Sequence, residues 1–299
     1  MEAMLTPEAT LPADGFKGTL VGRVARSAGP SIVAIRDDGV FDLSAITPTM
    51  TDLLDSDDPV AIARGEGERI DAFEPILANS GHDRHDPATP HFLAPIDLQA
   101  IKAAGVTFAK SMLERVIEEQ ARGDAAKAYA IRGTITSVIG TDLSKMVPGS
   151  EAAMRLKAHL IDQGAWSQYL EVGIGPDAEI FTKAPPMAAV GTGALIGIRR
   201  DSSWNNPEPE LVIAANASGE IKGAMLGNDV NLRDFEGRSA LLLGKSKDNN
   251  ASTALGPFIR LLDDSLTLDQ LRKTTISLRV EGAEDGFTLD GTSSMSEIS

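Results

Sequence analysis

The chain has 299 residues, 42% hydrophobic and 24% charged, a globular mixture long enough to bury a full core as one large or two ordinary domains. Its net charge of −15 argues against a nucleic-acid partner, which would want a basic face. With no cysteine, disulfides, thiolate nucleophiles and zinc–thiolate sites are excluded, and no stretch approaches the roughly 18 apolar residues of a membrane helix.

Residues 1–15 read as a polar arm without the basic and apolar regions of a secretory signal, which fits a cytoplasmic protein. Lys17–Val24 and Ser31–Ile35 read as strands around a turn at Arg26-Ser27-Ala28-Gly29-Pro30. Asp37-Asp38-Gly39 then turns the chain into Val40–Leu43, completing a small β-meander. Thr49–Leu54 and Pro59–Arg64 are short helical candidates, and Ser80–Pro87 is a loop. A domain boundary is expected after it, with an arm and small β domain over 1–95 and a second domain over 96–299. Phe108, Met112, Val116 and Gln120 follow the i, i+4 step and predict a helix over Phe108–Arg122, stopped by Gly123. Ser150–Gln163 reads as a second helix, capped by Ser150 and ended by Gly164. Strands are expected at Asp177–Thr182, Leu211–Ala215, Ile221–Leu226, Phe258–Leu262, Thr275–Glu281 and Phe287–Leu289. The class is α+β, rich in strands.

Several stretches could carry chemistry. His82, His85 and Asp86 have metal-like spacing, but they sit in a polar loop that His91 and His159 do not complete. Gly244-Lys245-Ser246 ends like a phosphate loop, yet Ser239 stands where the first glycine is required. Gly191-x-Gly193 lacks the third glycine of a dinucleotide fingerprint, with Ile196 in its place, and reads as a turn. Asn206-Pro207-Glu208-Pro209-Glu210 is more pointed. Residues two apart on a strand share a face, so Glu208 and Glu210 aim two carboxylates at one point. Asp229, nineteen residues on in a turn-like setting, is a third. Three oxygen donors suit a hard divalent cation, although exposed strand faces also carry glutamate for solubility alone. Pro209 cannot donate to a ladder, so this end of the strand should be an edge or a bulge. Lys247 and Lys183, taken singly, read as surface residues.

Glu208-x-Glu210, then Gly227-Asn228-Asp229-Val230-x-x-Arg233-Asp234, then Lys247 eight residues before Leu255-Gly256-Pro257, resembles the fumarylacetoacetate hydrolase superfamily over about 105–299. Ser294–Ser299 is similar to that family's late segment. The resemblance to its branch of 2-keto-3-deoxy-sugar-acid dehydratases is closer, because Glu179 lies 29 residues before Glu208, where that branch has a further glutamate. The resemblance implies a strand-rich mixed β-sandwich or roll, and Mg²⁺ (or Mn²⁺) held by Glu208, Glu210 and Asp229. It also implies Lys247, Glu179 and Glu114 as catalytic groups, with Ser111, Lys183, Asn228 and Arg233 about the substrate. The hydrolases carry a histidine and a glutamate three residues apart on a lid helix. Here Glu114 keeps the second position and Ser111 replaces the first, and a serine cannot activate water unaided. Dehydration is therefore favoured over C–C cleavage.

The implied substrate is a small 2-keto sugar acid, a 2-keto-3-deoxypentonate from oxidised D-xylose or L-arabinose, converted to 2,5-dioxopentanoate. Two alternatives stay open: an acylpyruvate hydrolase or oxaloacetate decarboxylase on the same metal site, and a metal- and sugar-acid-binding protein or inactive fragment. The branch continues past the Ser-Glu-Ile-Ser region with strands that include a substrate-contacting Gly-Thr. A catalytic domain truncated at its C-terminus is thus expected. A homodimer or higher homo-oligomer is the family expectation, with no membrane partner.

Overall fold

The computed structural model describes residues 5–83, 85–105, 129, 147–164, 166, 168–236 and 238–297. They fall into two compact units: 1–101 with 182–271 and 276–292, and 102–181 with 272–275 and 293–299.

The first unit is built on a ten-stranded sheet. Strands β1 (Leu20–Arg26), β2 (Gly29–Arg36), β3 (Gly39–Asp42) and β4 (Glu68–Asp71) form an antiparallel meander. Arg26 pairs with Gly29, so the first turn is tighter than the sequence predicts, and Gly29 takes a φ of +114° that its missing Cβ allows. The free side of β1 pairs with β12 (Phe258–Leu261) and, further along, with β5 (His91–Phe92). Next to β12 come β10 (Ile221–Asp229), β11 (Thr253–Leu255) and β8 (Ala189–Val190), while β9 (Pro209–Ala215) pairs with the other side of β10.

The expected boundary after residue 95 is therefore not where the chain divides. The N-terminal meander is hydrogen-bonded through β1 to β12 and shares its core with the later strands. Alternation along β1 and β2 explains why. Val21, Ile32 and Ala34 point to one face, where they meet Ala214, Met225, Leu255, Ile259 and Leu261. Leu20, Val24, Val33 and Ile35 point to the other, against Phe73, Ile76, Leu77, Phe92 and Phe258. A meander buried on both faces cannot stand alone. Each such side chain contributes about 1.5–3 kcal/mol by leaving water, and on one face part of that cover comes from the later strands.

Short helices cover these faces: α1 (Pro7–Thr10), α2 (Met50–Asp55), α3 (Pro59–Arg64) and α4 (Phe73–Ala78). Thr49 and Asp52 form a reciprocal capping box on α2, and Asp58 caps α3, with Pro59 at its first position. Sequence reading misses β4 and α4. The first is a polar, largely exposed strand without apolar alternation, and the second is interrupted by Pro75, which its first turn tolerates.

Outside that sheet, β6 (Ile101–Ala104) and β7 (Ile180–Ala184) form a two-stranded pair, continued where Gly105 N–H donates to Glu179 O. Helix α5 (Glu151–Asp162) begins at Ser150, whose hydroxyl accepts from Ala153 N, and ends before Gly164 at φ +65°. Lys157 on α5 ion-pairs with Glu171 of α6 (Gln168–Ile174). Strands β13 (Thr275–Glu281) and β14 (Thr288–Ser294), most of whose residues belong to the first unit, form a further pair. The predicted helix 108–122 lies outside the described residues, and so do Ser111 and Glu114. Among the described residues, no helix is long and apolar enough to cross a membrane.

Candidate metal centre

Strand β10 extends three residues past its predicted end at Leu226, so Asp229 is the last residue of a strand rather than part of a turn. Gly227 and Asn228 are small enough to be paired on both sides, with Glu210 and Pro209 of β9 and with Leu255 and Ala254 of β11. This extension builds the site. Continuing the β9–β10 register sets Glu208 opposite Asp229, whose N–H donates to Glu208 O at 2.8 Å. Opposed residues of an antiparallel pair share a face, and so do residues two apart on one strand. Glu208, Glu210 and Asp229 must therefore converge, and one oxygen from each lies within 4.8 Å of the others. Val212, Ala214 and Met225 continue the same face into the core. The carboxylates form the polar end of a face that is otherwise buried and apolar. Pro209 opens β9, whose described pairing is to β10 alone.

Two lysines reach the cluster. Lys247 is placed at the end of α8 (Leu243–Lys247), where sequence reading sees a surface loop, and is 3% exposed. Its Nζ donates to Glu208 Oε2 at 2.5 Å and to Asp229 Oδ2 at 2.8 Å. Burial works against its charge, but these two carboxylates outweigh burial and hold Lys247 above the usual lysine value. Lys183, also expected at the surface, is 1% exposed at the end of β7. Its Nζ donates to Val230 O at 3.0 Å and to Lys247 O, and lies 3.1 Å from Asp229 Oδ1. Here burial prevails over Asp229, and Lys183 sits below the usual value. The substrate contact implied for Lys183 does not fit this placement: its ammonium is inside the protein and faces three acceptors of the protein itself.

Side chains missed by sequence reading hold Glu208. Asn206 and Asn231 form a bridge one step beyond the Glu208–Asp229 pair, on the same face. Both carboxamides donate to Glu208 Oε1, at 3.3 and 3.2 Å, and Asn231 also donates to Glu236 Oε2 at 2.6 Å. Continuing the two-residue period outward from Glu208 and Asp229 is the signal that could have found them. Burial opposes the charge of Glu208, but Lys247, Asn231 and Asn206 outweigh it and keep its carboxyl below the usual range. Among the described residues, no such donor reaches Glu210. Burial first, then Asp229 and Glu208, push its carboxyl up to about 7.

The remaining expected residues are placed differently. Asn228 Oδ1 accepts from Glu208 N–H at 3.0 Å, and strand alternation puts its side chain on the face opposite Asp229. Arg233, on α7 (Arg233–Glu236), pairs with Glu236 at 3.4 Å and stands 4.0 Å from Glu208. Glu179 belongs to the second unit and is exposed there.

The donor set fits a hard divalent cation. All three ligand candidates are carboxylates, and the buried Asp229 Oδ1 makes no hydrogen bond despite its ion pair with Lys183. Oxygens at about 2.1 Å around Mg²⁺ stand about 3–4 Å apart, so the cluster needs little contraction to close on the ion.

No family model matches the chain. The chain is 29% identical over 246 residues to a probable 2-keto-3-deoxyxylonate dehydratase of Haloferax volcanii, a match covering 81% of this chain and 68% of that protein. It is 42% identical over 86 residues to a 2-dehydro-3-deoxy-D-arabinonate dehydratase of Saccharolobus solfataricus, covering 29% of each. A solved structure of 2-keto-3-deoxy-D-arabinonate dehydratase, complexed with magnesium and 2,5-dioxopentanoate, superposes with a TM-score of 0.57 at 21% identity. That match covers 93% of this chain and 78% of the other, and it establishes a shared fold.

Proposed function

On the premise that the chain has the fold of the fumarylacetoacetate hydrolase superfamily and is a sequence relative of its 2-keto-3-deoxy-sugar-acid dehydratases, we propose that it is a metal-dependent hydro-lyase. Its substrate is a 2-keto-3-deoxypentonate and its product 2,5-dioxopentanoate. The observation that carries this reading is the convergence of Glu208, Glu210 and Asp229 on one strand face, with Lys247 bonded to two of them.

Glu208, Glu210 and Asp229 would hold Mg²⁺, with Mn²⁺ as a substitute. When bound, the ion supplies Lewis acidity toward the 2-keto acid, worth several kcal/mol. The protein's own groups move the protons. Lys247 Nζ takes a proton from C3, and the hydroxyl on C4 leaves with a proton from Glu179 or Glu114. One water is lost, and tautomerisation of the remaining allylic alcohol gives the terminal aldehyde. A lysine base must be neutral, which from a reference value near 10.4 costs about 4 kcal/mol at about pH 7.5. The carboxylates of Glu208 and Asp229 add to that cost while they face Lys247. They are also the groups whose charge a divalent cation would neutralise, which lowers the cost again. The family expectations of a homodimer and a cytoplasmic location go with this reading.

The test is incubation with 2-keto-3-deoxy-D-xylonate, its L-arabinonate counterpart and an acylpyruvate, each with Mg²⁺ and with EDTA, with products identified by mass. Loss of 18 mass units from a sugar acid, abolished by EDTA, is the expected result (one water, from the reaction's stoichiometry). Pyruvate release from the acylpyruvate alone would favour a hydrolase, and no water loss from either sugar acid would sink the proposal.

A further inference from the structure

We propose that Lys183 is a positioning residue: a buried pin that fixes Lys247 and Asp229 relative to each other from behind the carboxylate cluster, and not a group that meets substrate. The inference rests on the metal-centre reading above and goes beyond it. Three observations carry it. Lys183 is 1% exposed, among the most buried large side chains of the chain. Its Nζ donates to Val230 O and Lys247 O and ion-pairs with Asp229 Oδ1, so all three groups it reaches belong to the protein itself. Those acceptors belong to two elements that must stay in register for the site to exist. Asp229 ends β10 with Val230 directly after it, and Lys247 ends α8.

The geometry divides the work between the two lysines. Lys247 presents its side chain to Glu208 Oε2 and Asp229 Oδ2, on the cluster side. Lys183 takes the main-chain carbonyl of Lys247 and the other oxygen of Asp229. Asp229 is thereby gripped through both oxygens, which sets the plane of its carboxylate. The end of α8 is also tethered by Leu232 N–H donating to Ser246 O at 3.0 Å, but that contact does not touch Asp229. Lys183 reaches both Asp229 and the end of α8. A group that orients a metal ligand without binding the metal typically affects metal affinity or activity 10- to 100-fold when removed.

Charge alone would act in the opposite direction. Removing a cation beside Asp229 should tighten metal binding, whereas removing a positioning contact should weaken it. Arginine separates the two, because it keeps the charge while its planar fork cannot direct three bonds as an ammonium does. The experiment is titration of the metal-free protein with Mn²⁺ alone by calorimetry, for wild type, Lys183→Met and Lys183→Arg, with folding checked by circular dichroism. Both variants are expected to bind Mn²⁺ 10- to 100-fold more weakly than wild type. Folded variants with unchanged or tighter affinity would overturn the proposal. If wild type itself fails to bind Mn²⁺, it is the metal-centre reading that falls. Should both variants fail to fold, the wild-type protein still decides. The ¹⁵N-detected ammonium signal of Lys183 should exchange slowly with water and stay unmoved when pyruvate is added without metal. Fast exchange, or a direct pyruvate shift, would place Lys183 at the substrate and end the proposal.

Discussion

Two regions of the first unit carry ligand-type side chains at suggestive spacing, and they use them in opposite ways. In the loop around His82, His85 and Asp86, the polar groups are turned onto the local backbone. Asp86 accepts from Ala88 N–H at 2.9 Å and Thr89 Oγ1 at 3.2 Å. The His85 Nδ1 atom faces Asn79 O at 3.2 Å, and the ring packs edge-on against His91 at 4.3 Å. On the β9–β10 pair the carboxylates are turned away from their own backbone and toward each other. Loop spacing in the sequence says little about where side chains point, whereas a strand pair imposes a shared face. Mutual repulsion among three acids is tolerated there because two buried lysines and two asparagines surround them. Such an arrangement is costly unless it binds something.

The sharpest way to break this contrast is to remove one ligand. Glu208→Gln and Asp229→Asn keep size and should cost more than about 100-fold in Mn²⁺ affinity, since each withdraws a charged donor from a three-donor set. Turnover should fall with affinity. His82→Ala and His85→Ala should leave the same titration curve unchanged. Retained metal affinity in both carboxylate variants would mean that the strand face is not the site.

The contrast also shows what could be read beforehand. Asp229, read as part of a turn, joined the other two ligands through the family resemblance, whereas the shared face of Glu208 and Glu210 was legible from strand periodicity. Most strands were legible for the same reason, as was α3, fixed by the Asp58 cap, Pro59 and Gly65. The surroundings of the site were not. Lys183 and Lys247 look like surface residues until the tertiary fold buries them. Their partners are main-chain carbonyls and carboxylates far along the chain, a contact no local pattern encodes. The division into domains failed similarly. The pairing of β1 with β12 joins segments more than 230 residues apart, and nothing in the loop around Pro87 announces it.

A second test uses Glu210, whose carboxyl burial and its acidic neighbours raise to about 7. Between about pH 4.5 and 7 the folded, metal-free protein binds a proton at Glu210 that the unfolded chain has released. Stability should therefore fall as pH rises through this window, by up to about 3 kcal/mol, and level off above it. Lys183, which burial holds below the usual lysine value, is common to wild type and Glu210→Gln and drops out of their difference, and the other two neighbours with shifted values do not mask the effect. The depressed value of Glu208 makes its contribution complete above about 4.5, and Lys247 stays charged throughout. Urea unfolding in EDTA at pH 5 and pH 8 measures the fall, and Glu210→Gln should flatten it. A cation competes with that proton, so Mn²⁺ affinity should rise about tenfold per pH unit below 7 and then plateau. A flat affinity profile in wild type would take Glu210 out of the ligand set.

The smallest effect comes from the loop and tests the contrast from its other side. Asn79 is buried, and its Nδ2 donates to Asp86 O, Thr89 O and Pro90 O at 2.9–3.2 Å, while its Oδ1 accepts from Asp86 N–H at 2.8 Å. One carboxamide, sharing its two N–H donors among three carbonyls, thus holds four main-chain groups that fold the loop back on itself. Asn79→Ala strands them, and leaving buried polar groups unpaired costs about 1–3 kcal/mol. The melting temperature should drop accordingly, with Mn²⁺ affinity unaltered, because the loop's polar groups serve its own backbone. If the variant instead kept its stability and lost metal binding, the loop would be a ligand-bearing element and the contrast drawn above would be reversed.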